Sequence, residues 1–245
     1  MGLIRGVIFD LGRTLMYLSV PGDEVTRRGA ADLAAFLVNR GFALDASSFS
    51  EAFLEQRRLL KERARAERVE YTAELALRTT LTDFGYPEVE AELVRRAIES
   101  FFSYEEAHWK AYPDAVETLR RLSEAGYRLG LVSNATDDAI VQRLVERAGF
   151  RPWLDPVISS AGVGIRKPDP AIFRIVLERW GIAAHEAVMV GNDLEADILG
   201  AKLTGMWSIL IRRGPTNVQS TRIAPDAEVD ELSELPEAIA SLGNL

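Results

Sequence analysis

Four short stretches carry side chains able to do chemistry, and each follows an apolar run. VIFDLGRTL delivers one carboxylate, Asp10, straight after Val7-Ile8-Phe9 and then breaks at Gly12. LVSN ends on Ser133 and Asn134, RKPDP carries Lys167, and VGNDLEAD carries Asn192, Asp193 and Asp197. The chain has no cysteine and only two histidines, His108 and His185. Thiolate chemistry and a multi-histidine metal centre are thereby excluded, and the working groups must be oxygens and amines. Carboxylates gathered in one place call for a cation, since otherwise one of them must protonate.

These residues need elements to bring them together. The pattern predicts a first strand at about Ile4 to Phe9, then a helical region from about Glu24 to His108 with no strand candidate in it. AADLAAFLVNRGF has apolar residues at helical spacing and stops on Gly41, and EVEAELVRRAIESFFSYEE makes a further helix. From Tyr112 the character changes to alternation. The helix DAVETLRRLSEAG is followed by a strand at Arg128 to Val132, the helix DDAIVQRLVERAG and a short strand around Val157 to Ser159. A loop AGVGIRKPDP, the helix AIFRIVLERWG, and the strand, acidic loop and helix of EAVMVGNDLEADILGAKLTG come next. MWSILIRRG is another strand, with a weak strand near Ala227 to Val229 and a helix around Leu235 to Leu242 closing the order. Strands alternating with helices indicate an α/β fold, a doubly wound, Rossmann-like parallel sheet. In such sheets ligands bind beyond the carboxyl ends of the strands, where all four stretches fall.

Composition narrows the function classes. Of the 245 residues 47% are hydrophobic and 27% charged, ordinary for a globular protein, and the net charge of −8 argues against a nucleic-acid surface. No apolar run approaches the length of a membrane span, and no signal-peptide pattern opens the chain, so no membrane partner and a cytoplasmic location are expected.

Set side by side, in this order, the four stretches resemble the motifs of the haloacid dehalogenase superfamily, mostly phosphatases that act through an aspartate nucleophile. The resemblance covers residues 1–17 and about 110–245 as an α/β core. Residues 18–109 occupy the slot of an inserted all-helical cap domain. It implies that Asp10 is the nucleophile, forming an aspartyl-phosphate intermediate. Ser133 and Asn134 would hold the phosphoryl oxygens, and Lys167 would neutralise both Asp10 and the transferring group. It also implies Mg2+, held by Asp10, the backbone carbonyl of Gly12 and the acidic loop. There Asn192 stands where an aspartate is usual, with Asp193 beside it and Asp197 at the familiar later position. Either Asn192 offers its amide oxygen or Asp193 takes the place, and a plainer reading has Asp193 and Asp197 opening the following helix.

The departure that matters is at Gly12, where most phosphatases of the family have the aspartate that protonates the leaving group. General acid–base help of this kind is typically worth about 10²–10⁴-fold. A phosphatase of a small phosphorylated metabolite is expected, and two alternatives stand beside it. One is a 2-haloacid dehalogenase, whose halide leaves without a proton. The other is a weakly active or non-catalytic phosphate-binding relative. Arg13, where glycine is common, contacts an anionic substrate or is a plain surface arginine.

Overall fold

Val7, Ile8 and Phe9 have no exposed surface, and Gly6–Phe9 forms strand β1 at the middle of a parallel sheet. The computed structural model describes residues 3–213 and 223–242. After β1 come β2 (Met16–Leu18) and four helices, α1 (Gly22–Asn39), α2 (Ala46–Glu67), α3 (Ala73–Asp83) and α4 (Ala91–His108). Strand β3 (Trp109–Ala111) pairs with β2 as a two-stranded ribbon. Alternation then begins with α5 (Ala115–Glu124), β4 (Arg128–Ser133), α6 (Asp138–Arg147), β5 (Leu154–Ser159) and a single turn, α7 (Ser160–Val163). It continues through α8 (Pro170–Trp180), β6 (Ala187–Gly191), α9 (Gly200–Thr204), β7 (Trp207–Ile211), β8 (Ala227–Val229) and α10 (Leu235–Leu242).

The chain divides into two compact units, Met1–Tyr17 with Lys110–Leu245, and Leu18–Trp109. In the first, six strands run in the order β5-β4-β1-β6-β7-β8. Each neighbouring pair is parallel, so that Phe9 sits beside Leu131 on one side and Val190 on the other. The strand order reverses at β1, which places β4, β1 and β6 side by side at the switch point. Val188, Met189 and Val190 of β6 are as fully buried as the residues of β1. Such uninterrupted apolar strands are what a parallel sheet covered on both faces demands.

Two details of this unit differ from the sequence reading. Strand β5 begins at Leu154 rather than Val157: Leu154 pairs with Leu129, the register shifts by one residue across Asp155 and Pro156, and the pairing resumes with Val157 beside Leu131. The stretch read as a loop after Ser159 starts with α7, capped by the Ser159 hydroxyl accepting from the Gly162 N–H at 3.1 Å.

The second unit is helical. Val94, Ala97, Ile98, Phe101 and Phe102 line one face of α4 at helical spacing, and α4 packs against α1 and α3. A Cβ on Gly29 of α1 would lie 2.3 Å from the Phe101 carbonyl oxygen, so only glycine permits this approach of α1 to α4. Phe53 meets Phe101 edge-on at 5.2 Å between ring centres. Asp45 and Thr72 cap α2 and α3 by accepting from the Ser48 and Leu75 N–H groups. No helix among the described residues is long and apolar enough to cross a membrane.

Candidate active site

Asp10 is the first residue beyond β1, Ser133 the last of β4, and Asn192 the first beyond β6. Because these three strands are parallel neighbours, their carboxyl ends present all three residues at one edge of the sheet. Ladder bonding holds Asp10 there, its N–H donating to the Val190 carbonyl at 3.0 Å. The chain then turns tightly. The Leu15 and Met16 N–H groups both donate to the Leu11 carbonyl at 2.9 Å, and Arg13 sits in the left-handed region at φ +60°.

Lys167, from the loop between α7 and α8, reaches into this edge and is 3% exposed. Its ammonium donates to Asp10 Oδ1 at 2.7 Å, to Asp197 Oδ1 at 2.6 Å and to the Val132 carbonyl at 2.7 Å, so all three protons are used. Burial pulls the Lys167 pKa down, but Asp10 and Asp197 together outweigh it and hold the amine above its ordinary value. Asp197 is pushed up to about 7, first by burial and then by the charge of Asp10, against the pull of Lys167. Two carboxylates thus share one ammonium in a water-poor pocket, one negative charge in excess.

Asp197 is seated by two devices. Its Oδ2 accepts from the Asp193 N–H at 3.0 Å. The backbone of Gly191 also comes so close that a Cβ there would lie 2.2 Å from Asp197 Oδ2. Asp193 itself is exposed, and its Oδ1 accepts from the N–H groups of Glu195 and Ala196 at 2.9 Å each. It therefore caps the π-helical segment Leu194–Leu199 that runs into α9, as the plainer sequence reading had it. Asp197 faces Asp10 through Lys167.

The second stretch divides its work. Asn134 donates from Nδ2 to the Lys167 carbonyl at 3.0 Å and accepts at Oδ1 from the Lys167 N–H at 2.9 Å. Its Oδ1 and one Nδ2 proton fix the lysine loop, while the second Nδ2 proton has no partner among the described residues. The Ser133 hydroxyl, on a side chain 7% exposed, has no partner among the described residues and remains available.

Sequence reasoning missed Arg213, which follows β7. Its guanidinium donates to both oxygens of Asp114 at 3.0 and 2.9 Å, to Glu231 at 3.0 Å and to the Thr14 carbonyl at 3.0 Å. It thereby ties down the turn that follows Asp10. A backbone carbonyl as partner leaves no trace in a sequence, so no signal pointed to this residue.

The donors fit a hard divalent cation. Asp10 and Asp197 supply carboxylates with an uncompensated charge, and the Asn192 amide has no partner among the described residues. No three histidine, cysteine or acidic side chains converge as a metal site among those residues. The reason lies in the sequence, since position 192 is an amide and Asp193 is turned to its cap. Magnesium, which keeps several waters, suits so small a set of protein ligands.

This sheet order sets an aspartate-bearing strand at the switch point, with a buried lysine between Asp10 and Asp197. The family of haloacid dehalogenase-like hydrolases matches residues 4–205, and the chain belongs to it. It is 30% identical to the glyceraldehyde 3-phosphate phosphatase of Methanopyrus kandleri, over 98% of this chain and 99% of that one. With the ribulose-1,5-bisphosphate 5-phosphatase of Halopiger xanaduensis it shares 30% identity, over 97% of this chain and all of the other (100%). The solved structure of 2-haloacid dehalogenase from Pseudomonas syringae pv. Tomato DC3000 superposes with a TM-score of 0.70 at 27% identity, covering 98% of this chain and 99% of that one.

Proposed function

We propose that this hydrolase is a magnesium-dependent phosphatase of a small phosphorylated metabolite, with Asp10 as nucleophile. The observation that carries the reading is the Lys167 ammonium bonded at once to Asp10 and Asp197. Asp10 attacks phosphorus and the ester oxygen leaves, giving an aspartyl phosphate that water then hydrolyses. Lys167 holds Asp10 in place and offsets charge on the transferring oxygens. The free Ser133 hydroxyl donates to one of those oxygens. Asp10, Asp197, the Gly12 carbonyl and the Asn192 amide oxygen would hold Mg2+, which supplies charge neutralisation at the phosphoryl group. Residues 18–109 serve as the cap that selects the substrate.

Gly12 has no side chain to protonate a leaving group, so esters of acidic alcohols, such as aryl and acyl phosphates, are the faster substrates in this reading. The phosphatase names of the two relatives at 30% identity support the same class. Dehalogenation is disfavoured on charge. A second buried carboxylate beside Asp10 gives the pair more negative charge than Lys167 alone offsets, which repels an anionic haloacid.

The test is phosphate release from p-nitrophenyl phosphate, glyceraldehyde 3-phosphate, ribulose 1,5-bisphosphate and phosphoserine, with and without magnesium, and halide release from chloroacetate beside them. Magnesium-dependent turnover of one or more phosphate esters is expected. Halide release without phosphate release would make the chain a dehalogenase, and tight binding of a phosphate mimic without any turnover would make it a binding protein.

A further inference from the structure

Two residues besides Gly adopt the left-handed backbone among those described, Arg13 at φ +60° and Arg68 at φ +58°. Arg68 ends α2, where such a conformation is common. Arg13 ends no helix. It stands in the turn directly after Asp10, in a region that glycine, asparagine and aspartate occupy far more readily than a residue with a long side chain. The turn is held by bonds that do not involve the Arg13 side chain. The Arg13 N–H donates to the Met16 carbonyl at 2.6 Å, and Arg213 grips the Thr14 carbonyl at 3.0 Å.

Arg213 and Arg13 differ in how their charge is met. Arg213 lies 3.7 Å over the Tyr112 ring, and Asp114 and Glu231 balance it. Arg13 is exposed and makes no hydrogen bond or ion pair with its side chain among the described residues. Tyr112 is held against the turn that carries Arg13, its N–H donating to the Leu15 carbonyl at 3.0 Å while Arg213 joins its ring to the Thr14 carbonyl. The phenol stays protonated at neutral pH and, like Arg13, has no hydrogen-bond partner among the described residues. A guanidinium and a phenol O–H on adjoining segments, neither with an acceptor among the described residues, are donors open to an anion. Arg13 is three residues from Asp10, so their Cα atoms are within roughly 10 Å. A phosphoester of a few carbons bridges that span.

We propose that Arg13 and Tyr112 receive a second anionic group of the substrate, a carboxylate or another phosphate, while the reacting phosphate lies at Asp10. This rests on the phosphatase reading above and narrows its substrates to small phosphate esters bearing a second negative charge.

Two matched pairs test it and separate the two sources of charge. They are 3-phosphoglycerate against glycerol 3-phosphate, and ribulose 1,5-bisphosphate against ribulose 5-phosphate. The wild-type protein favours the more anionic member of at least one pair by about tenfold or more in kcat/KM, the worth of a charge-assisted hydrogen bond. In Arg13→Gly that preference falls toward one. Glycine fits φ +60° without strain, so the variant folds at least as stably and its loss cannot be blamed on misfolding. Arg13→Lys keeps part of the preference, and Tyr112→Phe loses part of it. A wild-type ratio near one in both pairs, or a ratio that survives Arg13→Gly, overturns the proposal. Should no compound release phosphate, the phosphatase reading fails by itself, and calorimetric titration of the same four compounds decides this one. Tighter binding of the more anionic members, lost in Arg13→Gly, supports it; equal or absent binding overturns it.

Discussion

Two sets of ion pairs in this molecule use the same chemical groups to opposite ends. On the helices of residues 18–109, Arg58 bridges Glu55 and Glu62, Arg95 bridges Glu92 and Glu99, and Arg63 and Arg78 pair with Glu67 and Glu74. All of these are three or four residues apart and stand in water, with Arg58 53% exposed. Such pairs solvate a helix face and are screened by salt. In the sheet-bearing unit, Lys167 joins Asp10 and Asp197 across 157 and 30 residues of sequence, with the Lys167 and Asp197 side chains each 1% exposed. Water cannot share that charge, so each group sets the protonation of the others. The exposed pairs are numerous and weak. The buried trio is costly to assemble, and it is where the chemistry can occur.

Removing the buried cation is the severest way to probe this difference. Lys167→Met leaves two carboxylates facing each other in a dry pocket, which costs about 3–5 kcal/mol of stability and abolishes phosphate release. Urea unfolding measures the first and a phosphate assay the second. Adding Asp197→Asn to Lys167→Met removes the orphaned charge, so the urea midpoint recovers at least half of its loss while activity stays at background. If the double variant is no more stable than the single one, the buried charge was not the cause.

Gly191→Ala is next in size. Its Cβ would meet Asp197 Oδ2 at 2.2 Å and force that side chain away from Lys167. Overpacking of this kind costs about 1–3 kcal/mol, and kcat falls with it. Asn134→Ala comes third, since it frees the Lys167 loop by removing two hydrogen bonds. It lowers kcat by about tenfold, with a smaller change in stability than Gly191→Ala. The smallest effect belongs to the exposed set. Arg58→Gln leaves the urea midpoint and the activity where they were, at low salt and at high salt. A loss there comparable to that of Gly191→Ala would erase the contrast between the two regions.

Much of this contrast was legible in the sequence, and its limits have physical causes. The strands carrying Asp10, Ser133 and Asn192 were readable because buried parallel strands are continuous apolar runs with polar residues at their ends. Helices such as Gly22–Asn39 announced themselves by apolar periodicity and by a glycine, Gly41, just beyond the end. Strand β5 reads short because Asp155 and Pro156 look like a turn, whereas they form an irregularity across which the strand resumes its pairing with β4. The commitment of Asn134 to Lys167 was hidden, since both its partners are backbone groups 33 residues away. Arg213 was hidden because its partners, Asp114, Glu231 and the Thr14 carbonyl, lie far from it in sequence. Asp193 is a different case, because an aspartate just before a helix is a recognisable cap, and that signal competed with a reading as a metal ligand.

The central claim is that Asp10 carries the phosphoryl group, and trapping that species tests it most directly. The wild-type protein, mixed with magnesium and p-nitrophenyl phosphate and quenched in acid during turnover, is digested and analysed by mass spectrometry. The account predicts one added phosphoryl group on Asp10, and neither that group nor phosphate release in Asp10→Asn. Turnover that proceeds with no modification of Asp10, or that persists in Asp10→Asn, would contradict it.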